Sequence, residues 1–175
     1  ALDQSPFYAE SGGQVGDQGE FSGSNGSGQV VDCIKQGKIF LHKINLEEGS
    51  INLHDTLKLS VAPMMRSDAA SNHSATHLMH AALKHVLGHH VEQKGSLVDS
   101  SKLRFDFSHP KAVTKDELKQ IELLVNQQTL SNAEVKTELM QLDDAIASGA
   151  EAMFGEKYED EVRVLSMGDG FSVEL

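Results

Sequence analysis

The chain has 175 residues, 39% hydrophobic and 23% charged, which fits one domain, or a small one joined to a larger one, with a real core. No apolar run approaches the roughly 18 residues of a membrane span, no basic and apolar leader opens the sequence, and a single cysteine, Cys33, excludes an internal disulfide framework. A cytoplasmic globular protein is expected. The formal net charge is −11, unevenly spread: Glu134–Leu175 carries eleven acidic against three basic residues, and Lys84–Lys119 seven basic against five acidic. Nucleic-acid binders usually show a basic footprint, so any such contact would use the middle third. The sequence opens on Ala1 and stops inside an alternating run, Phe171–Leu175, and is expected to be a piece of a longer polypeptide.

Seven glycines crowd the first 28 positions. Gln29–Ile34 and Lys38–Ile44 then read as two strands across Lys35-Gln36-Gly37, a hairpin with glycine supplying the positive φ. Thr56–Ala62 alternates as Leu57, Leu59 and Val61, a third strand. Residues 1–62 thus read as a small β-barrel or sandwich, and a small β-barrel module is expected. Pro63 marks the boundary to a second module, 63–175. From Arg66 to Leu87 the apolar residues Ala75, Leu78, Met79, Ala82, Leu83, Val86 and Leu87 share one helical arc, and Gly88 follows as a stop. Lys94–Asp99 and Lys102–Phe107 read as strands, the latter with Leu103, Phe105 and Phe107 on one face. Thr114 and Glu117 form a capping-box signature for a helix burying Leu118, Ile121, Leu124 and Val125. Ala133–Met140 alternates, Leu142–Ser148 is a short helix ended by Gly149, and Val162–Met167 and Phe171–Leu175 are strands. The fold class is α+β: the second module would be two-layered, one long helix against a mostly antiparallel sheet.

Nine histidines are many for this length. His73, His77 and His80 recur at i, i+4 and i+7 in a stripe with Lys84, away from the apolar arc. One reading is a solvated polar stripe. The other is metal, since two imidazoles one turn apart can reach a single zinc ion. Ser74 follows His73 where a zinc protease would carry glutamate, so that chemistry is excluded. His89, His90 and Cys33 are further donors, although Cys33 alternates with Val31 in a strand and reads as core.

Asn72–His80, then Gln93-Lys94-Gly95-Ser96-Leu97-Val98 and Leu103–Phe107, resemble the editing domain of bacterial alanyl-tRNA synthetase. Pro6–Asp17 resembles the glycine-rich start of the β-barrel that precedes it, and Gly155-Glu156-Lys157-Tyr158 with Val162–Met167 continue the likeness. Freestanding alanyl-tRNA editing proteins share the histidine motif and the Ser-Gly-Gly-Gln element. The additional domain of threonyl-tRNA synthetase shares the histidine motif more distantly.

This resemblance implies hydrolysis of the ester joining serine or glycine to the 3′ end of tRNA(Ala), within a parent ligase that uses ATP and magnesium in a separate aminoacylation domain. His73 and His77 would hold one zinc ion, its remaining ligands expected just beyond Leu175, so zinc is expected to be weakly bound or absent in this piece. Gln93 would orient water or substrate, since an amide does not titrate as a base. Ser96 or Thr76 would read the serine hydroxyl. Gly12, Gly13 and Gln14 either form a tight turn or approach the tRNA end, and Lys94 and Arg104 either meet phosphate and ribose or, for Arg104, pair with Asp106. Partners would be tRNA(Ala) and the rest of the synthetase chain, with no membrane. Alternatives are a freestanding trans-editing deacylase and a non-catalytic metal- or partner-binding module.

Overall fold

A computed structural model describes residues 1–151 and 159–175. The segment Gly155–Tyr158, part of the resemblance above, lies outside the described residues. The chain divides into two compact units, Ala1–His73 with Ser96–Arg104, and Ser74–Gly95 with Phe105–Leu175.

The first unit is built on a four-stranded antiparallel sheet in the order β3-β2-β1-β4: β1 Gly19–Gly23, β2 Gly26–Gln36, β3 Ile39–Gly49 and β4 Leu57–Val61. The expected hairpin turns at Gly37, whose φ of 60° suits a residue without a Cβ. Phe7, Ala9, Phe21, Val30 and Cys33 form its core, with Leu57, Leu59 and Val61 packed against them. Cys33 is fully buried, as the alternation implied.

The sheet is open, a correction to the β-barrel expected for residues 1–62. β3 and β4 are its two edges, and no pairing among the described residues joins them. Strand lengths supply the reason. β1 pairs with β2 only over Ser27–Val30, so among the described residues Asp32–Gln36 have β3 as their sole strand neighbour. The outer hairpin therefore extends past the short strands, and Ile34, Ile39 and Phe40 on it stay exposed.

Helix α1, Pro63–Leu87, starts three residues before the periodicity indicated. Strands β5 Gln93–Val98 and β6 Leu103–Phe107 make a two-stranded sheet. In the second unit Ala82, Leu83, Val91 and Ile121 are the buried centre of a cluster that includes Met79, Val86, Phe105, Phe107, Leu124 and Val125. Helix α2, Lys115–Ser131, has the capping box read from the sequence: the Thr114 hydroxyl accepts from Glu117 N, and Thr114 N donates to Glu117 Oε2. Leu118 departs from expectation at 53% exposed. The cluster reaches α2 from Ile121 onward and leaves the turn after the cap uncovered.

A three-stranded antiparallel sheet, β7 Lys136–Gln141, β8 Glu161–Met167 and β9 Ser172–Glu174, completes the second unit with the short helix α3, Leu142–Ala147. Its core is Ala145, Ala150, Val162 and Val164. On the side of β9 away from β8, Glu151 N donates to Val173 O and Leu175 N to Glu151 O, a single parallel bridge. The protein is thus of mixed α/β class with antiparallel sheets.

Candidate functional site

In the first unit a tight turn brings together residues far apart in sequence. Ser11 and Gln14 exchange both backbone hydrogen bonds, at 3.2 and 2.9 Å, around Gly12 and Gly13, whose φ values of 58° and 80° lie in the left-handed region. Two successive positive φ angles are what a type I′ turn demands. The turn lies along β5: Val98 N donates to Gly13 O at 2.8 Å, and Val15 N to Val98 O at 3.0 Å. A Cβ on Gly13 would stand 2.8 Å from Ser96 Cβ, whereas one on Gly12 would be 3.8 Å from His73 Cε1. Gln14 is buried, and its Oε1 accepts from His73 Nδ1 at 2.8 Å. So Gly12, Gly13, Gln14, His73 and Ser96 converge. The tight-turn reading of the glycines holds, and the turn sits on the first motif histidine.

The anchor beneath this turn escaped the sequence reading. Buried Asp17 accepts from Arg66 Nε at 2.9 and 2.8 Å and also from Arg66 Nη2, and takes Tyr8 N at 2.6 Å. Nothing in the local pattern pairs positions 17 and 66, so only the tertiary fold reveals them.

In the second unit, His77 lies 3.5 Å through Nδ1 from Glu174 Oε1. Ser172 Oγ donates to that same carboxylate oxygen at 2.9 Å. Ser172 and Glu174 are both buried. Their alternation in Phe171–Leu175 does place them on one strand face, a signal available from the sequence. His80 is 8% exposed and packs on Phe105 at 5.1 Å between ring centroids. Burial pushes its imidazole pKa below the ordinary value, with Glu174 opposing and Lys84 adding to the shift. Lys84 pairs with Glu151 at 2.5 Å. The reading of the stripe as solvated therefore fails: each polar residue in it meets a partner or an apolar neighbour. Helix periodicity located the stripe, but burial depended on which strands lie over it.

His80, Lys84, Glu151, Ser172 and Glu174 line a cavity of about 360 Å³ in this unit. A larger one in the first unit, about 600 Å³, is lined by Glu10, Asp17, Asp32, Lys43 and Asp99 and contains none of the sequence-predicted site residues. Thr76 is buried and Gln93 half-buried. Lys94 is exposed and bonds Glu92 at 2.8 Å, and Arg104 and Asp106 are exposed on β6. His90 Nε2 lies 2.8 Å from His109 Nδ1, and His89 is exposed.

Zinc can be tested against these donors. Because the Gln14 amide oxygen can only accept, His73 Nδ1 carries the proton and the lone pair falls to Nε2, the form that ligates zinc. His77 offers a second imidazole one turn on. Donor type and spacing thus fit a ligand pair. No group of three or more His, Cys, Asp or Glu able to hold an ion forms among the described residues, so this pair alone does not make a four-coordinate site.

The family described as tRNA synthetases class II (A) matches residues 1–64. The chain is 55% identical over 175 residues to the alanine–tRNA ligase of Nitrosomonas eutropha, covering 99% of the chain and 20% of the relative. To the same enzyme of Francisella tularensis subsp. novicida it is 56% identical over 174 residues, and to that of Saccharophagus degradans 55%, with the same coverage. The chain spans about a fifth of the length of these relatives. Among the described residues no helix is long and apolar enough to cross a membrane.

Proposed function

We propose that the chain is a segment of a cytoplasmic alanine–tRNA ligase and carries its proofreading step, hydrolysis of tRNA(Ala) mischarged with serine or glycine. The parent would attach alanine with ATP and magnesium elsewhere in its length. In this reading 1–62 is the glycine-rich module and 63–175 the editing module, the change from strands to helix falling at Pro63, whereas the compact units divide at His73 and return Ser96–Arg104 to the first. The likeness over nearly the whole chain supports the parentage. The observation that carries the editing role is the Gln14–His73 hydrogen bond, with Gly13 packed on Ser96. It joins the Ser-Gly-Gly-Gln element to the histidine motif, two parts with no reason to meet in a purely structural helix face.

The chemistry asked of these residues is addition of water to an ester carbonyl and loss of the 3′ oxygen of the terminal ribose. The Gln93 amide orients water or substrate and can donate to the developing oxyanion, an interaction worth most in a covered site. Ser96, or Thr76, accepts or donates to the serine hydroxyl. A site built to satisfy that hydroxyl leaves polar groups unpaired when alanine enters, which can discriminate by roughly 10⁴-fold. Correctly charged tRNA would be spared on this ground. The turn at Gly12–Gly13 lets backbone approach the tRNA end, Gln14 fixes the His73 ring, and Lys94 and Arg104 meet phosphate or ribose. His73 and His77 would supply two ligands to a zinc ion, which when bound lends Lewis acidity or holds the site's shape.

Deacylation of seryl-tRNA(Ala) by the full-length ligase tests the reading. His73→Ala and Gln93→Ala should each lower the rate by about 10²-fold or more while leaving alanine attachment intact. Unchanged hydrolysis in both variants would turn the assignment toward a non-catalytic module.

A further inference from the structure

Buried carboxylates are costly unless paired and hydrogen-bonded, and Glu174 is only 6% exposed. Its backbone is held from both sides, paired with Leu165 of β8 and bridged to Glu151. Its Oε1 accepts a hydrogen bond from the Ser172 hydroxyl at 2.9 Å and faces His77 Nδ1 at 3.5 Å. Ser172 Oγ also lies 3.5 Å from the His77 carbonyl oxygen, but its single proton goes to the nearer carboxylate. The result is a chain of contacts from β9 to one ring nitrogen of α1, with a backbone ladder fixing its base.

We propose that Glu174, oriented by Ser172, is a positioning residue that locks His77 in the tautomer with Nδ1 protonated and Nε2 carrying the lone pair. An ionised carboxylate only accepts, so at 3.5 Å the ring nitrogen facing it is the one favoured to hold the proton. Gln14 imposes the same tautomer on His73 through its amide oxygen. Two histidines one turn apart thereby present the same nitrogen as a base or ligand, each set by a partner outside the helix. The purpose of this arrangement rests on the editing reading; the tautomer itself does not.

Long-range proton–nitrogen correlation spectra of the metal-free chain, with ¹⁵N-labelled histidine above pH 7.5, test it. His77 should appear in the single Nδ1–H form. Glu174→Ala should convert it to a mixture of tautomers, whereas Glu174→Gln, which keeps a carbonyl acceptor, should preserve the Nδ1–H form. A wild-type His77 protonated on Nε2, or a folded Glu174→Ala protein with the Nδ1–H form intact, overturns the proposal. Should Glu174→Ala fail to fold, Ser172→Ala decides: freeing the carboxylate should give mixed tautomers, and an unchanged spectrum counts against it. In the full-length ligase Glu174→Ala should lower kcat for seryl-tRNA deacylation by about 10- to 100-fold with KM unmoved. A wild-type ligase without deacylase activity would refute the editing role and leave the tautomer result standing.

Discussion

Gly13 and Gly12 offer a matched pair of perturbations in which strain and crowding separate. Both have positive φ, so alanine at either position enters the left-handed region at a cost of about 1–2 kcal/mol. At Gly12 that is the whole effect, because the new Cβ would sit 3.8 Å from His73 Cε1, ordinary contact. At Gly13 the Cβ would lie 2.8 Å from Ser96 Cβ and 2.9 Å from Ser96 O. Backbone on one side and a paired strand on the other leave little room to yield, which adds about 1–3 kcal/mol of overpacking. Gly13→Ala should therefore destabilise the chain by about 2–5 kcal/mol, and Gly12→Ala by about 1–2 kcal/mol. Urea titration reads this as a fall in midpoint at constant slope. Gly13→Ala should also pull Gln14 away, so the His73 ring should lose its single Nδ1–H form while Gly12→Ala retains it. Equal midpoints for the two variants would refute the close-approach argument, because they would mean that Ser96 moves aside freely.

The Asp17–Arg66 pair should respond asymmetrically. Asp17 is buried, whereas the Arg66 side chain is 40% exposed, so Arg66→Ala strands a buried carboxylate while Asp17→Ala leaves a guanidinium that can reach water. We expect about 3 kcal/mol for the first and about 2 kcal/mol for the second by urea titration, and the opposite order would sink the reasoning. Stability should also fall in mild acid. Burial lowers the pKa of both His42 and His80 from 6.5, and each has a buried ring nitrogen without a hydrogen-bond partner among the described residues. The unfolded chain therefore takes up protons first, and stability is lost as pH drops below 6.5 toward the folded values. Each histidine steepens the slope by up to about 1.4 kcal/mol per pH unit. His80→Phe should flatten the slope by one proton's share, measured by midpoints between pH 5 and 7.5; an unaltered slope would show that His80 is not buried neutral.

Local pattern carried much of this protein. The capping box at Thr114, the strand face of Leu103, Phe105 and Phe107, the hairpin over Gly37 and the long helix all follow from period, propensity and turn chemistry. These are interactions between residues a few positions apart, and a sequence displays them directly. The histidine spacing was legible for the same reason, as was the likeness to alanine–tRNA ligases. Whether the first sheet closes was decided by unequal strand lengths, which leave the β2–β3 hairpin overhanging β1. Whether the histidine stripe is wet or covered was decided by what lies over it. Gln14 on His73, Glu174 beside His77 and Asp17 on Arg66 join positions 49 to 97 residues apart, and no period or motif encodes such encounters. Chemistry at the site depends on these long-range contacts, because a neighbour's oxygen, and not the histidine's own place in the helix, selects which ring nitrogen holds the proton.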